Sequence, residues 1–186
     1  MMSSDAQVIA LARQAHGAAL DVLYQAYRGK IFTFLLRLTS DADAADDLTQ
    51  DTFMKAYRAL GGLSDQHRLL PWLYRIANNA AIDAARRRKR ILWIRLSALV
   101  ETAEEPQAPD GHGRVSERDQ LTQVLKGVPL ENAAALLLHA IEGYSYKEIA
   151  AIQGCSLTAV RSRIARARAE MREAFATTEA FRSSSL

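Results

Sequence analysis

Two stretches of this chain concentrate arginine in a way suited to gripping a polyanion. From Leu70 to Arg95 stand Arg75, Arg86, Arg87, Arg88, Lys89, Arg90 and Arg95 against the single acid Asp83, a net +6. From Ser145 to Arg172 stand Lys147, Arg161, Arg163, Arg166, Arg168 and Arg172 against Glu148 and Glu170, a net +4. The whole chain carries only +3, which leaves −7 for everything else, so the positive charge is placed rather than spread. Phosphate backbones are the polyanions such stripes meet, and two separated stripes imply two grips on nucleic acid.

Other chemistries find little to work with. No paired carboxylates, nucleophile with its base, or phosphate-binding loop can be assembled, so no catalytic residue is assigned and the chain is not expected to be an enzyme. The histidines, His16, His67, His112 and His139, stand at no ligand spacing, and Cys155 is the single cysteine. A metal site, a cofactor and an internal disulfide are therefore not expected. No run is long and apolar enough to span a bilayer, and Met1 to Asp5 lacks the pattern of a signal peptide. The expected location is the cytoplasm, without membrane insertion.

The elements that must position the two stripes are helical. Asp5 is placed to cap a first helix carrying Val8, Leu11, Ala12 and Ala15, and Leu20, Leu23, Tyr24 and Tyr27 continue the three-and-four spacing after Gly17. A further apolar face runs Ile31, Phe34, Leu35 and Leu38 and stops at Thr39 and Ser40. Asp41 and Asp43 then suit the cap and first turn of a helix to about Leu60 that buries Ala45, Leu48, Phe53, Ala56, Tyr57 and Leu60. Gly61 and Gly62 end it, and Pro71 opens a long helix that runs into the basic cluster.

On that helix Leu73, Ile76, Ala77, Ala80 and Ala84 share one face, while Arg75, Asn79, Ile82 and Arg86 share the opposite one. An outward strip of carboxamide, guanidinium and apolar groups suits bases as well as phosphates. Trp72 and Tyr74 are expected in the core rather than as stacking platforms.

From about Leu99 to Arg114 the chain turns acidic and helix-breaking, with Glu101, Glu104, Glu105, Pro106, Pro109, Asp110, Gly111 and Gly113. This is the composition of a linker. The expected fold is therefore all-α: two small helical domains joined by a flexible acidic linker. The expected boundaries are 5–96, 97–115 for the linker, 116–176, and a tail over 177–186.

The second domain contains a helix-turn-helix. Ser145 and Glu148 have the spacing of a capping box, Gly154 stands where the turn requires positive φ, and Ser156 can cap the following helix. On that helix Val160, Ile164, Ala167 and Met171 commit one face to the core. At about 100° per residue, Thr158, Ser162, Ala165, Arg166 and Ala169 fall on the far side. Small residues there let a helix enter a major groove, with Thr158, Ser162 and Arg166 reaching base edges. Arg161, Arg168 and Arg172 line one flank and Arg163 the other, where phosphates would lie.

The run Asp46-Asp47-Leu48-Thr49-Gln50-Asp51-Thr52-Phe53, then Lys55-Ala56-Tyr57-Arg58, then Trp72-Leu73-Tyr74-Arg75-Ile76-Ala77-Asn78-Asn79 with Asp83 and Arg86 to Arg88, resembles the second conserved region of bacterial sigma factors. Gly143 to Ala150 and Val160 to Arg168 resemble the fourth. With neither the first nor the third region, the pattern is similar to the extracytoplasmic-function (ECF) subfamily. The resemblance implies that Asp47, Gln50, Asp51 and Phe53 dock on the β′ clamp helices of core RNA polymerase. It implies further that Arg75, Asn79, Ile82, Arg86, Arg87 and Arg88 capture the melted minus-ten element of promoter DNA. The minus-thirty-five element would fall to Ser156, Thr158, Arg161, Ser162, Arg163, Arg166 and Arg168, and the β flap would meet the apolar helix Ala133 to Ile141. An anti-sigma factor is an implied partner, for which the apolar run Ile91, Leu92, Trp93, Ile94 and Leu96 is a plausible contact. Two departures stand out: the loop Gly61 to Leu69 lacks the aromatic residue often found there, and His139 stands where arginine is common. The competing reading is a stand-alone helix-turn-helix regulator whose first domain senses a ligand or dimerises.

Overall fold

The computed structural model describes residues 9–10, 16–63, 68–99 and 127–183, with side chains at 16–19, 92, 94–99 and 175–183 excepted. The described residues form helices joined by short turns: α1 (His16–Thr39), α2 (Ala42–Leu60), α3 (Leu69–Leu99), α4 (Leu130–Ala140), α5 (Tyr146–Gln153) and α6 (Leu157–Ser183). The expected all-α class is what is found. Most of the expected first helix and nearly all of the acidic linker lie outside the described residues, as does the start of the second domain at Ser116.

Local signals set the helix ends. The α1 helix closes with Ser40 at φ 56°, and the Ser40 N–H donates to the Leu36 carbonyl at 2.9 Å. Asp41 caps α2 by accepting the Ala44 N–H at 3.1 Å, as its sequence position suggested. Gly61 closes α2, donating its N–H to the Ala59 carbonyl. Three boundaries differ from expectation. The α1 helix runs unbroken through Gly17 and Gly29, since a helical glycine costs only about 1 kcal/mol and tertiary packing overrides it. The α3 helix continues to Leu99, and α6 continues to Ser183, past the expected domain limits.

Helices α1, α2 and α3 pack on one another, and α4, α5 and α6 do likewise. Ile31, Phe34, Leu35, Phe53, Leu60, Leu73 and Tyr74 fill the first core, and Leu137, Leu138, Ile149, Val160, Ile164 and Ala167 the second. Thr49 and Thr52, unexpected inside, are buried because each hydroxyl donates to the carbonyl four residues back, at 2.6 and 2.7 Å. The two cores meet: α3 packs against α4 and α5, and α1 against α4. At the seam Tyr74 lies edge-on between Phe34 (5.1 Å) and Tyr144 (5.7 Å). Hence α3 is buried on two sides, which takes Asn78 and Ala81 inside along with the expected Leu73, Tyr74, Ala77 and Ala80.

Candidate nucleic-acid and polymerase interfaces

The second helix of the helix-turn-helix, α6, is set by α5 and its turn. The Ser145 side chain accepts the Glu148 N–H at 3.3 Å, while the Glu148 carboxylate accepts the Ser145 N–H at 2.9 Å and its hydroxyl at 2.8 Å. The expected capping box is thus complete. These bonds, led by the Ser145 backbone N–H and reinforced by Arg68, hold the Glu148 pKa below the usual carboxylate value. Gly154 then adopts φ +61°, ψ 39°, a left-handed conformation that reverses the chain within one residue. Ser156 accepts the Ala159 N–H at 3.1 Å and so starts α6.

On α6, Val160, Ile164 and Ala167 are buried and Met171 is half-buried. Thr158, Arg161, Ser162, Ala165, Arg166 and Arg168 are exposed together, as the periodicity predicts, and Ser156 is exposed at the cap. Arg163 differs. It is half-buried, donating to Gln153 Oε1 at 2.8 Å and to Cys155 Sγ at 3.3 Å, so it ties α6 to the turn instead of standing free on the flank expected to face a phosphate. His139 is also structural: its Nδ1 lies 3.0 Å from the Tyr144 carbonyl and its ring stands edge-on to Tyr146 at 4.8 Å.

The second surface lies along α3. Arg75, Asn79, Arg86, Arg87 and Arg88 are exposed, continuous with Lys89 and Arg90. Ile82 is half-buried and lines, with Arg86 and Lys89, a cleft of about 530 Å³ whose other wall is Gly127 to Glu131. Arg86 reaches across it to Glu131 at 3.6 Å. Tyr74 is fully buried, which removes it from any stacking role. Its hydroxyl has no hydrogen-bond partner of good geometry, and burial, with the Glu142 carboxylate nearby, pushes its pKa well up.

The third surface is the acidic ridge of α2. Asp47, Gln50 and Asp51 are exposed on it. Gln50 donates to Asp46 at 2.8 Å, Asp46 pairs with Arg28 at 3.1 Å, and Asp51 pairs with Lys55 at 2.7 Å. Phe53 meets the burial its spacing predicts and departs from the docking role that the resemblance implied. It is buried, edge-on to Tyr24 at 4.9 Å, because its position on α2 faces α1, so it supports the ridge from beneath and presents nothing to a partner. Beyond the basic cluster, Trp93 is 71% exposed and Ile91 is exposed as well. Among the described residues no group of three or more metal-ligating side chains occurs, and no helix is long and apolar enough to cross a membrane.

Comparison with known proteins shows the family. The family model for sigma-70 region 2 matches residues 23–91, and that for sigma-70 region 4 matches residues 118–171. The RNA polymerase sigma-H factor of Pseudomonas aeruginosa is 33% identical over 177 residues, covering 88% of this chain and 90% of that protein. The ECF RNA polymerase sigma factor SigM of Bacillus subtilis is 31% identical over 153 residues, covering 82% of this chain and 93% of its own. The solved sigma factor RpoE of Bartonella quintana, in complex with the anti-sigma factor NepR, superposes with a TM-score of 0.61 at 29% identity. That match covers 81% of this chain and 92% of the other.

Proposed function

The chain belongs to the ECF subfamily of sigma-70 factors, promoter-recognising initiation factors, and from that premise we propose a role for each of its surfaces. The ridge of Asp47, Gln50 and Asp51 docks on the β′ clamp helices of core RNA polymerase. The strip of Arg75, Asn79, Ile82, Arg86, Arg87 and Arg88 holds the melted minus-ten element. The exposed face of α6, with Thr158, Arg161, Ser162, Arg166 and Arg168, enters the major groove at the minus-thirty-five element, and the Ser156 cap sits at its leading end. The β flap meets α4. The protein acts without chemistry of its own, in the cytoplasm, as a specificity subunit. The observation that carries this reading is the pairing, in one chain, of an exposed arginine-and-asparagine strip on α3 with a capped helix-turn-helix whose outward face is small and basic.

Charge sorts the roles further. Arg166 lies on the side of α6 opposite the buried Val160, Ile164 and Ala167, where a guanidinium reaches base edges. Arg161 and Arg168 lie nearer the flank and suit phosphates, which position the helix without reading sequence. The exposed Ile91 and Trp93, on different sides of α3, each offer an apolar side chain to a helical anti-sigma partner. A stand-alone regulator would be expected to hold duplex DNA tightly without polymerase, and membership of the family disfavours it. Run-off transcription with core polymerase, with and without the protein, is the decisive experiment. Specific transcripts only in its presence support the proposal, and their absence on a library of promoter sequences refutes it.

A further inference from the structure

The outward strip of α3 does not stop at the basic cluster. Arg75, Asn79, Ile82, Arg86, Lys89 and Trp93 follow one another at steps of four, three, four, three and four, so at about 100° per residue each falls within about 40° of one line along the helix. Leu73, Ala77, Ala80 and Ala84, buried or half-buried, hold the opposite side. Ile91 falls on that inner line, so the two exposed apolar residues near the end of α3 differ in kind. Trp93 is the most exposed large apolar side chain among the described residues. It ends a line whose other members are three cations, one carboxamide and one aliphatic group. Asp83, the single acid of this stretch, stands about 80° off the line and leaves the strip cationic. An indole among solvated cations has no core to join, whereas a nucleotide offers it a flat apolar base and offers the cations a phosphate.

Resting on the functional reading above, we propose that Trp93 is a nucleic-acid contact, whose indole stacks on an unpaired base at the end of the melted minus-ten element while Lys89 and Arg90 take the phosphates beside it. The reach fits. At about 1.5 Å per residue Trp93 stands about 21 Å along α3 from Asn79, which an unpaired strand covers in no more than about six nucleotides at the duplex rise of about 3.4 Å. The chain leaves the first half at this end of α3 and goes on to the half assigned to the minus-thirty-five element, so the stacked base lies on the upstream side. Stacking accepts any base, so Trp93 adds grip and fixes register rather than base choice. A protein seated on Trp93 and a base stacked on it exclude each other, and the cations along its face favour the base.

The test uses the full chain and its own fluorescence. Trp72 and Trp93 are the two tryptophans, so Trp72→Phe leaves Trp93 as the sole reporter, and the difference between the parent and Trp93→Ala serves instead if that background unfolds. The probes are a mixed-sequence DNA single strand, the same strand annealed to its complement, and a strand of equal length built from abasic units. The single strand should quench Trp93, and it should bind Trp93→Ala roughly five- to a hundredfold more weakly, as expected for one lost stacked base. Trp93→Phe should keep most of the affinity. Trp93→Leu, apolar but without a ring face, should bind like Trp93→Ala. The abasic strand should bind without quenching. Quenching by the abasic strand, equal quenching by the duplex, or full affinity in Trp93→Leu overturns the stacking. Emission unchanged by every probe overturns the contact and leaves Trp93 to a protein partner. No step uses polymerase: a chain whose Trp93 stacks on bases but which yields no run-off transcript refutes the functional reading while the contact stands, and one that yields transcripts without quenching refutes the contact alone.

Discussion

Substitution of Glu148 tests how far the reading helix depends on one carboxylate. Glu148→Ala removes acceptors for the Ser145 N–H at 2.9 Å and the Ser145 hydroxyl at 2.8 Å, and it frees Arg68 at 2.8 Å. The Ser145 hydroxyl still accepts the backbone N–H of residue 148, so only half of the capping box is lost. Half a box costs about 1 kcal/mol, and an exposed ion pair adds between about 0.2 and 1 kcal/mol, so the expected loss is roughly 1 to 2 kcal/mol at pH 7. The sign with pH follows from the depressed pKa. A carboxylate whose folded pKa lies below its ordinary 4.5 contributes stability that is present above 4.5 and lost as pH falls through the folded value. The gap between the unsubstituted chain and Glu148→Ala should therefore be full at pH 7 and close progressively below 4.5. Glu148→Gln, which keeps an acceptor oxygen but no charge, should fall between the two at pH 7. Urea titrations followed by far-ultraviolet circular dichroism from pH 7 downward measure all three. A gap that is absent at pH 7, or that persists undiminished in acid, would refute the assignment of the bonds to an ionised Glu148.

Further outcomes follow from the same geometry. Arg166→Ala should relax base choice at the upstream element, losing about 1 to 3 kcal/mol against the preferred sequence, while Arg168→Ala should weaken all sequences alike. Binding to an array of upstream variants distinguishes the two, and identical profiles for Arg166→Ala and the parent would remove Arg166 from base reading. Asp51→Arg should abolish core polymerase binding in a calorimetric titration yet lower the unfolding free energy by no more than about 1 kcal/mol, since the site is exposed and only the pair with Lys55 gives way to like-charge repulsion. Gly154→Ala should destabilise by about 1 to 2 kcal/mol through backbone strain alone, because an added Cβ meets nothing within 4 Å at φ +61°. Thermal unfolding of that variant beside Gly154→Asn, which tolerates the conformation better, checks the attribution.

Features legible in the sequence were those decided within a few residues. The capping box at Ser145, the left-handed Gly154, the Asp41 cap and the outward set Thr158, Ser162 and Arg166 depend on nearest neighbours along the chain, so spacing alone predicts them. Arg163 escaped because its partners, Gln153 and Cys155, lie across the turn, and the periodicity of α6 carries no trace of that contact. For Phe53 the spacing with Ala45, Ala56 and Leu60 predicted burial against α1, and only the resemblance placed it with the exposed acids beside it.

Tyr74 was expected inside and is, but the second buried side of α3 and α4 was not foreseen, for a deeper reason. Hydrophobic periodicity assumes that a helix has one inside, whereas α3 and α4 each have two, one toward their own domain and one toward the other half. The sequence did carry a sign of this. The unbroken run Ala133-Ala134-Ala135-Leu136-Leu137-Leu138 has no polar face at all, and such a helix requires burial on all sides. A chain whose second domain was solvated on its own would need a polar residue within that run. The run is covered by α5 and α6 of its own half and by α1 and α3 of the other, and only the second pair of contacts lies beyond what nearest-neighbour periodicity can foresee.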